Sequence, residues 1–169
     1  MNELVRFRAP WGRPLVAISL LTTAVMVGVS VLCLALLPPS QSLARLAAAG
    51  APPVIVLGCL PFLVRGYTVT GRELRIERLG WSTRWPLAMF SGGLVDPEAM
   101  KGSLRLCGNG GLFAFCGWFR NKKLGVYRAF ATDLRRSVVL RFGARTVVVT
   151  PDDPQQFLAE VNRRRAALL

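Results

Sequence analysis

Histidine is absent from this chain of 169 residues. With it go the usual general base, the Ser-His and Cys-His nucleophile pairs and most zinc sites. Acidic residues are also scarce, nine against 22 Lys and Arg. They do not gather into a site. Asp152 and Asp153 precede a helix-like segment, where capping accounts for them, and Asp96 and Glu98 flank Pro97 in the turn-like "VDPEAM". Asp133 reads as a turn residue ahead of a strand. No paired carboxylates or ligand cluster implies a metal or another cofactor. The four cysteines, Cys33, Cys59, Cys107 and Cys116, form no Cys-x-x-Cys. In a reducing compartment Cys107 and Cys116 are free thiols, and neither has a nameable base to activate it. The chain is therefore expected not to be an enzyme, with a membrane-associated thiol enzyme using Cys107 or Cys116 as the remotest alternative.

Charge is missing altogether from Leu15 to Leu37, "LVAISLLTTAVMVGVSVLCLALL". As a helix this run reaches roughly 35 Å, enough to cross a hydrocarbon core of about 30 Å. It exceeds the ~7–15 residues of a signal-peptide core, and a second apolar run follows at once. That second run, Leu46 to Val64, carries Pro52, Pro53 and Pro61. Spanning helices tolerate such prolines, and a kinked or re-entrant segment is the alternative. "PPSQS" between the runs suits a tight hairpin. Arg6, Arg8 and Arg13 precede the pair and Arg65 and Arg72 follow it. The positive-inside tendency then places both termini in the cytoplasm, with the protein integral to the cytoplasmic membrane. The expected organisation is a basic flank and two membrane helices in residues 1–65, with the helices at about 15–37 and 46–64. One domain follows in 66–169.

The net charge is +13, and the part after Arg65 keeps 17 basic and eight acidic residues. Beside a cytoplasmic leaflet the simplest partner for that excess is anionic lipid headgroups. From Gly66 the hydrophobic period becomes two. "YTVTGRELRIER" alternates Leu74 and Ile76 with charged neighbours, after a turn at Thr70-Gly71. "GWSTRWPLAMF" reads as one further strand with Pro86 at an edge or bulge. "SVVLRFGARTVVVTP" is a hairpin, with strands Val138 to Phe142 and Arg145 to Thr150 around Gly143-Ala144. The chain closes with a helix capped by Asp153, with Pro154 at its first position and Phe157, Leu158, Val161 and Leu168 on an apolar side.

The densest stretch is "LCGNGGLFAFCGWFRNKKLG", Leu106 to Gly125. It matches neither G-x-x-x-x-G-K-[ST] nor G-x-G-x-x-G, because Phe113 stands where the third glycine belongs. A hairpin explains it better. Gly108 to Gly111 is expected to be a tight turn, the aromatics to be wall, and Arg120-Asn121-Lys122-Lys123 a basic tip. No helix-turn-helix, zinc finger or RNA-binding aromatic pattern supports a nucleic-acid partner.

The opening "YTVTGRELRIER", the central "GNGGLFAFCGWFRNKKLGVYRAFATD" and the closing "SVVLRFGARTVVVTPDDPQQFLAEV" together resemble the bacterial pleckstrin-homology-like (PH-like) domains carried by small membrane proteins. The resemblance implies a seven-stranded antiparallel bent barrel capped by a C-terminal helix. Lipid-binding relatives use a basic loop between the first two strands, and here that loop is the short Thr70-Gly71 with only Arg72 beside it. The expected function is a protein-binding or assembly module at the inner membrane surface, with anionic-lipid sensing as the alternative. Arg120, Lys122 and Lys123 are the candidate contact residues for a partner or for anionic lipid.

Overall fold

Where charge is missing the chain is helical. The computed structural model describes residues 4–38, 40 and 42–168. In it, α1 covers Arg13–Leu36 and α2 covers Ser42–Cys59, continued by a 3-10 turn at Leu60–Phe62. Both are long and apolar enough to cross a membrane, and only 11% of each apolar window is buried. A core helix of a soluble protein would be mostly buried, whereas these two pack on each other and leave most of their apolar surface exposed. Pro52 and Pro53 lie inside α2. Of the linking "PPSQS", Pro39 and Gln41 fall outside the described residues.

Ten strands are present among the described residues, in two sheets that do not close on each other. The expected seven-stranded antiparallel bent barrel is met only in part: the described strands number ten and the two sheets stay open. The first sheet runs β1 (Val5–Arg8), β2 (Val64–Val69), β3 (Glu73–Arg78), β4 (Ser82–Pro86), all antiparallel. The second contains β5 (Phe90–Val95), β6 (Leu104–Gly110), β7 (Phe115–Asn121), β8 (Gly125–Ala131), β9 (Val138–Phe142) and β10 (Arg145–Val149). Its spatial order is β5-β9-β10-β8-β7-β6. Its β8–β10 contact is parallel, so the sheet is not purely antiparallel. The single strand expected over 80–90 is in fact two. β4 ends at Pro86, which cannot donate to a ladder, and a 3-10 turn at Leu87–Met89 carries the chain to the other sheet.

β1 was expected to be plain basic flank. Instead it pairs with β2 from Val5↔Val69 to Arg8↔Gly66, so the sheet begins before the apolar helices and resumes after them. Gly66 makes this possible, because a Cβ there would lie 2.7 Å from the Phe7 carbonyl oxygen. The Asp152 carboxylate accepts the Arg8 N–H at 3.1 Å, and the Asp152 N–H donates to the Arg8 carbonyl at 3.0 Å. Phe7 then meets Phe157 edge-on at 5.1 Å.

The C-terminal helix α3 (Pro154–Ala166) follows its sequence signals. Asp153 accepts the Gln156 N–H at 2.9 Å, and Phe157 and Val161 are fully buried between the sheets. Leu158 packs against the same core, whereas Leu168 lies past the helix and is exposed. Tyr67 pins the sheets together. Its hydroxyl donates to the Phe130 carbonyl at 2.6 Å and accepts the Thr150 N–H at 3.1 Å.

Candidate functional site

The glycine-rich stretch spans three structural settings. Gly108 and Gly117 sit opposite each other in the β6–β7 ladder, both with positive φ (109° and 149°). A Cβ on either would come within 2.4 Å of a carbonyl oxygen across the ladder, so the pair lets β6 and β7 approach closely. The expected turn at Gly108–Gly111 is thus displaced. β6 runs through Gly110, and the reversal comes at residues 111–114. Asn109 organises it, its side-chain oxygen accepting the Leu112 N–H at 3.0 Å.

That reversal rests on α1. The buried Ser19 hydroxyl donates to the Gly111 carbonyl at 3.2 Å and accepts the Phe113 N–H at 3.0 Å. Phe113 has φ of 67°, uncommon for a bulky residue, and its ring lies 6.2 Å from Trp11. Backbone and side chain are both held, which sustains the strained conformation. Among the other aromatics, Phe115 and Phe119 are wall residues in a core cluster on the sheet's far face, while Trp118 is exposed.

The opposite end of the β7–β8 hairpin is the basic tip. Six residues of β7 separate Phe115 from Asn121, about 20 Å of strand. Asn121 builds the turn by accepting the N–H groups of Lys123 (3.1 Å) and Leu124 (2.7 Å). Lys123 is not free, since its ammonium lies 2.5 Å from the Asp96 carboxylate. Arg120 and Lys122 have no acidic partner among the described residues and border a cleft of about 460 Å³ with Gly102, Leu104, Asn121 and Gly125. Leu104 opens β6, the outer strand of its sheet, and is 72% exposed; Leu106 is 55% exposed. Sequence periodicity could not single out this edge, because which strand ends a sheet is a matter of long-range order.

The two domain thiols differ in their surroundings. Cys116 is buried, and burial pushes its thiol up, partly offset by Arg78 and Arg128; Arg78 Nη1 lies 3.7 Å from its sulfur. Cys107 is exposed. No group of three or more His, Cys, Asp or Glu able to hold a metal occurs among the described residues. At Thr70 the hydroxyl accepts the N–H groups of Arg72 (3.3 Å) and Glu73 (3.0 Å), a tight local turn with no basic loop.

A family model for the bacterial PH domain matches residues 65–165, from the start of β2 to the last turn of α3. The chain belongs to the bacterial PH domain family. No curated protein and no solved structure matches it. β1 and both apolar helices precede the residues matched to the PH domain. In this PH domain the tip residues and the β6 edge belong to one continuous surface, whereas the β2–β3 turn carries Arg72 alone.

Proposed function

We propose that the protein is a non-enzymatic integral membrane protein whose PH domain is a protein-binding module at the cytoplasmic face. α1 and α2 form the membrane hairpin, and the arginines flanking it, Arg6, Arg8, Arg13, Arg65 and Arg72, favour the cytoplasmic side for both ends. The observation that carries the binding role is the unpartnered β6 edge with Leu104 and Leu106 exposed beside Arg120 and Lys122. An open edge offers unpaired backbone groups, and an added strand takes them up while pockets read alternate side chains. The chemistry fits an extended segment with apolar residues at every second position and acidic residues near the tip.

A photo-crosslinking residue placed at Leu104 in the full chain, in intact membranes, tests this. We expect one reproducible protein adduct, lost when Arg120→Glu and Lys122→Glu are introduced together. No adduct, or one indifferent to the charge reversal, rejects the reading. Crosslinks to lipid alone would instead assign the tip to anionic headgroups.

A further inference from the structure

Where β4, the outer strand of the first sheet, faces the inner side of β8, β9 and β10, arginines line a cavity. Arg128 and Phe130 share the inner face of β8, and Val147 of β10 is in register with Arg128. Arg145, two residues earlier on β10, therefore faces the same side. Across the cavity β4 presents Thr83, on the same inward side as the buried Trp85, while Arg84 between them pairs with Arg75 on the opposite face. Thr83, Arg128 and Arg145 line a partly enclosed cavity of about 130 Å³, floored by Trp85 and Phe142. Arg78 joins from β3 by donating to the Thr83 hydroxyl.

These guanidiniums are crowded. The Arg78 and Arg128 groups lie 5.0 and 5.2 Å from the same Phe130 ring. Arg78 also covers Trp81 at 5.3 Å, and Arg128 covers Trp118 at 5.7 Å. Burial and the charge of Arg128 both lower the Arg78 pKa. The fold supplies no counter-charge. Every acidic residue among the described ones is engaged elsewhere. Glu73 holds Arg75, Glu77 holds Arg6, Asp96 holds Lys123 and Glu98 holds Lys101. Asp133 holds Arg135 and Arg136, and Glu160 holds Arg163 and Arg164. Asp152 and Asp153 bind backbone N–H groups. Like charges gathered on low-dielectric walls without a carboxylate create a strong local positive potential.

We propose that this cavity is a binding site for a phosphate-bearing anion, held by Arg128 and Arg145 with the Thr83 hydroxyl beside them. Guanidinium forks match phosphate oxygens and form charge-assisted hydrogen bonds. A cavity of about 150 Å³ takes a benzene-sized ligand, so this one takes a phosphate group or the phosphate end of a headgroup. The neighbouring β3–β4 turn stands at the exit of the apolar hairpin. The Leu79 N–H donates to the Leu63 carbonyl at 3.3 Å, and Trp81 meets Phe62 edge-on at 5.8 Å. A lipid phosphate and a soluble phosphate can therefore both reach it. The site is separate from the β2–β3 turn and from the Arg120–Lys122 tip, and it does not depend on the strand-edge reading.

Trp81 and Trp118 flank the arginines and report occupancy by fluorescence. The full chain is placed in phosphatidylcholine nanodiscs and titrated with inorganic phosphate at constant ionic strength set by chloride. The expected result is a saturable change, weakened about tenfold or more by Arg145→Gln and retained in Lys122→Gln. Among the described residues the Arg145 side chain makes no hydrogen bond, ion pair or ring contact, so that variant leaves folding intact; Arg128→Lys, which keeps the charge but loses the fork, weakens binding as well. In phosphatidylglycerol nanodiscs a headgroup ligand shows as a changed starting fluorescence that Arg145→Gln reverses, with no further response to phosphate. A soluble ligand shows as the same titration in both lipids. The proposal is overturned by a response that chloride alone reproduces, by wild-type binding in Arg145→Gln, or by no saturable response to phosphate together with identical fluorescence in the two lipids.

Discussion

Two buried hydroxyls do work that their composition class would not suggest. Ser19 joins α1 to the 111–114 reversal, and it serves both a carbonyl and an N–H. Ser19→Ala leaves both groups unpaired in a buried place and should cost about 1–3 kcal/mol, read as a lowered unfolding midpoint of the full chain in detergent. Tyr67 joins the two sheets through one oxygen, and burial pushes its pKa up to about 12. The fold holds the protonated form. Its contribution is complete below pH ~10, the ordinary value, and is lost as pH rises through about 12. Tyr67→Phe should lower stability at neutral pH by about 1–3 kcal/mol and flatten the alkaline loss between those limits. Tyr127, also raised by burial, keeps a residual slope. A variant whose midpoint falls as steeply above pH ~10 as wild type would refute the assignment. The basic tip divides by the same reasoning. Lys123 faces an Asp96 side chain that is only 10% exposed, so Lys123→Gln should cost about 1 kcal/mol, while Lys122→Gln should stay within about 0.5 kcal/mol of wild type.

At the scale of elements, local signals were legible and pairings were not. The β9–β10 hairpin, the Asp153 cap and the Thr70 turn rest on residues within a few positions of one another, and each lies where sequence patterning puts it. The apolar runs are legible for the same reason, with α1 at Arg13–Leu36 against an expected 15–37. β1 was invisible because "VRFR" is only four residues long, with Val5 and Phe7 turned to the core, in a segment whose arginines also suit a membrane flank. Its partner lies more than fifty residues away in sequence, beyond both apolar helices, and no local period encodes that. The displaced 111–114 turn was missed because Asn109-Gly110 is a strong turn signal that the Gly108–Gly117 approach overrides. Of the candidate contact residues, Arg120 and Lys122 fall where expected on a tip, but the Asp96 partner of Lys123 is a tertiary fact. β1 also yields a test. Gly66→Val places a side chain against the Phe7 carbonyl and should release β1 from β2. Amide exchange at Val5–Arg8 should then accelerate to the rate of a frayed terminus, with the midpoint falling alongside. Unchanged protection there would show that β1 does not depend on close approach at Gly66.

At the scale of the whole molecule, β1 constrains topology in a way that charge counting alone cannot. The strand before α1 and the strand after α2 are hydrogen-bonded neighbours in one sheet, and the Gly12 N–H at the foot of α1 donates to the Thr132 carbonyl of the domain at 3.0 Å. A chain that leaves the sheet and returns to it must cross the bilayer an even number of times. A two-helix hairpin satisfies this, whereas a cleaved signal sequence would remove the strand that fills the sheet's edge. The arrangement also holds the domain close to both apolar helices, since α1 meets the domain again at Ser19, and α2 passes into β2 with only a 3-10 turn and one residue between them. Membrane-impermeant maleimide labelling of right-side-out and inverted vesicles decides the matter. In chains carrying one reporter cysteine each, with the other cysteines replaced by serine, Leu4→Cys and native Cys107 should react from the same side, and Ser40→Cys in the link from the opposite one. Labelling of Leu4→Cys from the side of Ser40→Cys would mean that α1 does not cross, and the hairpin topology would fall.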